Sequence, residues 1–196
     1  MRLVGVSQRV DFIKDRKETR DAVDQRLLEF VRASGGVAVP VPNNLASKDD
    51  FDAWIQAVNI EAVLLSGGQD VGNCLNRDNT ETNLLNYAFG NSLPALGICR
   101  GMQMIAIWAG VELKKVVGHS GTRHWISGCF KYEVNSYHNY AIKEIPENFA
   151  ALAHSEDGLI EAIKHKKLQW EGWMWHPERE NQFNARDIER LGDLLK

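Results

Sequence analysis

The sequence has 196 residues, 44% of them hydrophobic and 25% charged, a globular balance that excludes a disordered chain, a collagen-like repeat and a disulfide-stapled mini-protein. Its 23 basic and 26 acidic residues give a net charge of −3; a nucleic-acid backbone binder is normally basic, so the charge leaves room only for a local basic pocket. The length predicts one domain, residues 1–196, with a core that needs no staples.

The opening MRLVGVSQRVDF has too short an apolar part for a signal peptide. LVGV (3–6) reads as a buried strand. Residues 17–34 read as a helix, with Ala22, Val23, Leu27, Leu28, Phe30 and Val31 on its apolar side and a Gly35-Gly36 stop. VAVPVP (37–42) is a second strand. Ser47 caps SKDD, with acidic residues in a first helical turn that continues through Phe51 to Val58. AVLLS (62–66) is a third strand, residues 80–90 a helix, and PALGI (94–98) a fourth strand. Residues 100–109 form a helix that is apolar on most sides. Continuously apolar strands alternating with helices predict a parallel sheet covered on both faces. Later, CFKYEV (129–134), FAALAHS (149–155) and LQWEGWMW (168–175) are strand-like, LIEAIKH (159–165) reads as strand or helix, and 184–195 as a helix. GHSGTRHW (118–125) reads as a loop and KHKK (164–167) as a hairpin turn. Trp173 and Trp175 share a face and are expected in the core. No apolar run approaches the roughly 18 residues of a membrane helix. Cys74, Cys99 and Cys129 form no CxxC pair, so a reducing cytoplasm and no zinc pattern are expected. Cys74 and Cys129 read as structural.

Three segments carry chemistry. In PALGICRGMQMIAIWAG a buried strand gives way at Cys99 to a helix, the elbow that exposes a nucleophile at the top of a sheet. Gly97 and Gly101 permit a sharp turn and close helix–strand packing. A thiol at a helix N-terminus is favoured as the thiolate. The Arg100 N–H, next in the chain, points where an oxyanion would form. In WMWHPE, His176 and Glu178 lie two apart on an extended segment and so share a face, which lets the carboxylate orient an imidazole base. In LLSGGQD, Gly67-Gly68 after a strand can turn backbone N–H groups toward a substrate.

S-G-G after a strand, then G-I-C-R-G-M-Q, then H-P-E, in that order, resembles the class I glutamine amidotransferases over nearly the whole chain. GVSQR and VNSYHNY (134–140) are similar to the free-standing γ-glutamyl hydrolases of the peptidase C26 group. LGICRGMQMIA and MWHPERE resemble the γ-glutamyl-CDP-amidate hydrolases of capsule phosphoramidate biosynthesis. The resemblance implies a flavodoxin-like α/β fold with a mostly parallel central sheet, helices on both faces and additional late strands. It implies a Cys99–His176–Glu178 triad, an oxyanion hole from the Gly68 and Arg100 N–H groups, and a glutamyl site from Gly67, Gln103, His138, Asn139 and Tyr140. Many relatives have Gly where this chain has Asn139. The implied reaction is attack of Cys99 on a γ-glutamyl carbonyl, a thioester, and release of glutamate by water, with no metal or organic cofactor.

The implied leaving group, cytidine diphosphoramidate, is anionic. Arg9, Arg16, Arg20, His119, Arg123 and His124 are the cations available to it, and each is equally an ordinary surface or core residue. The expected partner is a small γ-glutamyl molecule, with no membrane. Two alternatives stay open: a γ-glutamyl-γ-aminobutyrate-type hydrolase, and a glutaminase subunit working with a separate synthase. A binding protein that has lost catalysis on the same fold is a third reading, which the complete Cys99, His176 and Glu178 set disfavours.

Overall fold

The computed structural model describes residues 1–45 and 47–196. Its strands are β1 (Arg2–Ser7), β2 (Arg9–Ile13), β3 (Glu18–Ala22), β4 (Gly36–Val41), β5 (Ala62–Leu65), β6 (Ala95–Ile98), β7 (Leu113–Lys115), β8 (Ser120–Gly128), β9 (Tyr132–Tyr137), β10 (Tyr140–Ile142), β11 (Phe149–Ser155), β12 (Ile160–His165) and β13 (Trp170–Trp173). Its helices are α1 (Gln25–Ala33), α2 (Lys48–Val58), α3 (Leu75–Gly90), α4 (Arg100–Trp108) and α5 (Ala185–Leu194). Nine strands form one sheet in the order β4-β1-β5-β6-β13-β12-β11-β8-β9. The first five are mutually parallel and the last four join in antiparallel fashion. The fold is therefore a flavodoxin-like α/β sheet extended by an antiparallel half.

The central parallel strands β5, β6 and β13 are buried along their length, as strands covered by helices must be. One apolar cluster joins α2, α3 and α4 to the sheet through Phe51, Leu84 and Met102. The other joins α1 and α5 through Phe30, Val31 and Leu191. The caps follow local chemistry. Asp24, Ser47 and Asn184 each accept a backbone N–H from the first turn of α1, α2 and α5. Trp173 and Trp175 stack at 5.4 Å in that second cluster.

Three expectations shift. Residues 18–22 are not the start of α1 but the second strand of an antiparallel hairpin with β2. Their apolar and charged residues pair across the hairpin, and Lys17, left-handed at φ 53°, makes a turn without glycine. Helix α3 begins five residues before position 80. The 118–125 segment is mostly strand, because β8 pairs with β9 from Ser120 to Ile126. LIEAIKH resolves as a strand, and the KHKK run turns it into β13. Among the described residues, no helix is long and apolar enough to cross a membrane.

Candidate active site

Strands β5, β6 and β13 are neighbours, and their C-terminal ends deliver the three chemical segments to one edge of the sheet, where open α/β folds bind ligands. At the end of β6, Cys99 turns the chain with φ 51° and ψ −104°. A non-glycine residue held there stores strain of roughly 1–3 kcal/mol, which surrounding structure must over-determine. It does so here. The Cys99 N–H donates to the Trp173 carbonyl on β13 at 2.7 Å, and the Cys99 carbonyl accepts from the Gln103 N–H at 3.1 Å. A Cβ on Gly97 would sit 2.4 Å from the Gly101 backbone, and one on Gly101 would sit 2.1 Å from the Leu65 carbonyl oxygen. Both glycines are required for α4 to start this close to β5 and β6.

His176 follows β13 and is buried. Its Nδ1 meets Glu178 Oε1 at 2.6 Å. The carboxylate accepts, so Nδ1 carries a proton. That leaves Nε2 for the Cys99 sulfur, which acts electrostatically on the ring. Burial pulls the His176 pKa down, but Cys99 and Glu178 outweigh it and hold the ring protonated up to about 9. Gly67 closes the other side: a Cβ there would lie 2.4 Å from His176 Cε1.

A buried charge network supports this edge from beneath. Arg77 on α3 is fully buried and pairs with Glu81 at 2.9 Å. Its guanidinium also donates to the carbonyls of Ser66 at 2.7 Å and Gly67 at 3.0 Å. In a trans peptide the N–H points opposite to the carbonyl, so fixing Gly67 C=O on Arg77 turns the Gly68 N–H away from it. The Arg100 side chain joins the network by pairing with Glu81 and Asp78. The Arg100 N–H, at the first position of α4, has no partner within the helix. Gln103 is buried and donates through Nε2 to the Tyr140 carbonyl at 2.9 Å. A cavity of about 550 Å³ lies alongside, sharing Asp78 with the Arg100 pair and Tyr140 with the Gln103 contact.

The anticipated residues do not all converge. Cys99, His176, Glu178, Gly67, Gly68 and the Arg100 backbone share one edge, and Gln103 meets Tyr140. His138 donates from Nδ1 to the Tyr140 carbonyl at 3.1 Å, and the Asn139 carbonyl accepts from the Val116 N–H. Arg9 lies near Gly68, its Cβ 3.1 Å from where a Gly68 Cβ would stand, and pairs with Asp11 at the surface. Arg16 and Arg20 sit on the exposed β2–β3 hairpin, where Arg20 pairs with Glu18. Arg123 pairs with Glu133 at 3.1 Å and Glu180 at 3.0 Å. His119 and His124 turn toward Glu161.

Sequence reasoning missed Asn135, which brackets the His176 backbone. Its Oδ1 accepts the His176 N–H at 2.9 Å, and its Nδ2 donates to the His176 carbonyl at 2.8 Å. It also missed Arg77 and Glu81, whose four-residue spacing on a helix gave the only signal and looks the same on a solvated face.

The class I glutamine amidotransferase family pattern matches residues 18–190. The γ-glutamyl-CDP-amidate hydrolase of Campylobacter jejuni is 39% identical over 131 residues, covering 64% of this chain and 66% of that protein. The chain thus matches just under two thirds of that relative's length. The glutamine-hydrolysing GMP synthase subunit of Pyrococcus abyssi is 32% identical over 180 residues, covering 84% of this chain and 88% of that one. A crystal structure from Thermoplasma acidophilum, of a protein provisionally named as the corresponding GMP synthase subunit, superposes with a TM-score of 0.75 at 21% identity, covering 100% of this chain and 94% of that one. The last is a likeness of fold, and the family pattern spans most of the sequence: the chain belongs to the class I glutamine amidotransferase superfamily, whose chemistry is on amide bonds.

Proposed function

We propose that this chain, as one domain over residues 1–196, is a cytoplasmic, free-standing γ-glutamyl hydrolase of the peptidase C26 type, with γ-glutamyl-CDP-amidate as substrate. The observation that carries the reading is the His176–Glu178 pair, Nδ1 2.6 Å from the carboxylate, delivered by β13 to the sheet edge where Cys99 leaves the neighbouring β6. The similarity to the Campylobacter hydrolase supports the choice of substrate.

In this reading Cys99 is the nucleophile. Its sulfur forms a bond to the γ-carbonyl carbon, and the carbonyl oxygen takes the negative charge. The N–H groups of Gly68 and Arg100 hold that oxyanion, each worth about 3 kcal/mol of barrier. His176 gives its Nε2 proton to the departing nitrogen as the C–N bond breaks, leaving a γ-glutamyl thioester and cytidine diphosphoramidate. His176 then takes a proton from water, which attacks the thioester and releases glutamate and the thiol. Glu178 keeps the ring in the required tautomer throughout. Gln103 and the Tyr140 backbone, already paired, form the wall against which the glutamyl group lies, with Gly67, His138 and Asn139 completing it. Arg9 and Arg123, at the surface, are the cations offered to the diphosphoramidate.

A second reading, a glutaminase subunit that passes ammonia to a separate synthase, is favoured by the similarity to the Pyrococcus GMP synthase subunit. Comparison of kcat/KM for γ-glutamyl-CDP-amidate, γ-glutamyl-γ-aminobutyrate and glutamine separates the readings. The purified chain alone is expected to prefer the nucleotide amidate over glutamine by on the order of 10²-fold or more. Glutamine turnover that emerges only when a synthase is added would favour the second reading instead.

A further inference from the structure

Behind the glutamyl wall, three histidines close on one buried carboxylate. His119 immediately precedes β8, His124 lies at its middle, His138 follows β9, and Glu161 lies on β12, where the pairing with β11 is broken by a bulge. Glu161 Oε1 is 3.7 Å from His119 Nδ1, 3.4 Å from His124 Nε2 and 3.6 Å from His138 Nε2. All three nitrogens and both Glu161 oxygens are buried without a hydrogen-bond partner. Such concentration of unsatisfied polar atoms in one place is rare in a folded protein.

The outer nitrogens explain why hydrogen bonding does not resolve it. His119 Nε2 meets the Asp157 carboxylate at 2.9 Å, and His138 Nδ1 meets the Tyr140 carbonyl at 3.1 Å. Both partners only accept, so those nitrogens carry the protons. In neutral His119 and His138 rings the inner nitrogens are then bare lone pairs, facing a carboxylate that can only repel them. Imidazolium–carboxylate hydrogen bonds would draw in to about 2.7–2.9 Å. The observed separations are longer, and those of Glu161 from His124 and His119, 3.4 and 3.7 Å, lie near the ~3.4 Å edge of a tetrahedron whose ligand atoms stand about 2.0–2.1 Å from a central zinc ion. The ligand atoms of His119, His124 and Glu161 all fall within 4.8 Å of one another. The outer contacts to Asp157 and Tyr140 are the supports that metal-bound histidines characteristically have.

We propose that His119, His124 and Glu161 form a divalent transition-metal site of the zinc class, with His138 beside it. Imidazole nitrogens with one carboxylate select zinc-like ions over magnesium or calcium, which take oxygen ligands. Three protein ligands leave the fourth position of a tetrahedral ion to water. The ion ties the β8 segment to β12. It takes no part in the cysteine chemistry, which needs no metal.

The test is titration of the chelator-treated full chain with Co²⁺. It is done in the Cys99→Ala background, so that the site thiol does not compete. The visible d–d bands and equilibrium dialysis are read. One tightly held cobalt per chain with four-coordinate bands is expected, displaced by one equivalent of Zn²⁺. His124→Ala is expected to weaken binding at least 100-fold, and the surface change Asp157→Asn about tenfold. Circular dichroism checks that each variant is folded. No saturable binding, or binding unchanged in both variants, overturns the proposal. Glu161→Gln repeats the test from the carboxylate side, and the two histidine-side variants decide the matter if that chain does not fold.

Discussion

In the parallel half of the sheet, β5, β6 and β13 end side by side, and Gly67, Cys99 and His176 leave them within three residues of a strand end. In the antiparallel half, β8, β9 and β12 contribute from their middles and flanks: Asn135 on the His176 backbone, His138 on the Tyr140 carbonyl, and Glu161 among histidines. The first half places reacting groups by chain direction alone, since parallel strands all point their C-terminal ends at one edge. The second half fixes the backbone that carries those groups. The two halves should therefore fail differently when they are cut.

The largest effect is expected in the parallel half. His176→Ala should lower the rate of glutamate release by on the order of 10⁴-fold in a chain that circular dichroism shows to be folded. A loss below tenfold would remove the histidine from the chemistry. Arg77→Met should act on stability first. It leaves Glu81, fully buried and also paired with Arg100, without its i,i+4 partner, a change that typically costs about 3–5 kcal/mol. Urea unfolding measures this, and an unchanged midpoint would mean that the network does not hold the Ser66–Gly67 carbonyls. Asn135→Ala probes the antiparallel half. It removes two hydrogen bonds to the His176 backbone and should cost about 1–3 kcal/mol while slowing turnover less than His176→Ala does. Equal slowing would show that the antiparallel half does more than position.

Legibility follows the same division. The strands β1, β4, β5 and β6 read directly as apolar runs, and in β5 and β6 burial on both faces leaves no alternation to decode. The elbow at Cys99 and the His176-Pro177-Glu178 turn were readable because all their determinants lie within a few residues. The β2–β3 hairpin was not. Its turn rests on Lys17 at positive φ, with no glycine or asparagine to mark it, and β3 is a polar, exposed run with no apolar alternation to announce a strand. The pairing of His119 and His124 with Glu161 joins residues about 40 positions apart across a bulge, and no local pattern announces it. Family likeness filled part of that gap by pointing to His138 and Tyr140, but not to Asn135 or Glu161.

The smallest effect concerns pH. Burial lowers the affinity of His176 for its proton, yet Cys99 and Glu178 raise the pKa to about 9 from the usual 6.5. A group whose pKa rises on folding stabilises the fold while it is protonated. That contribution should be complete below pH 6.5 and disappear as pH rises through 9. The thermal midpoint should fall across that window in the parent chain, and the slope should flatten in Cys99→Ala, which removes the strongest of the raising contacts. An identical slope in both chains would detach the imidazole from the sulfur.

The central claim is that one sulfur, Cys99, meets the γ-carbonyl with His176 beside it. Its most direct test is mass spectrometry after exposure to a glutamine analogue that carries a diazoketone in place of the amide. The account predicts a single adduct on Cys99, with Cys74 and Cys129 unmodified and labelling much slower in His176→Ala. An adduct on another residue, or none while γ-glutamyl turnover continues, would contradict it.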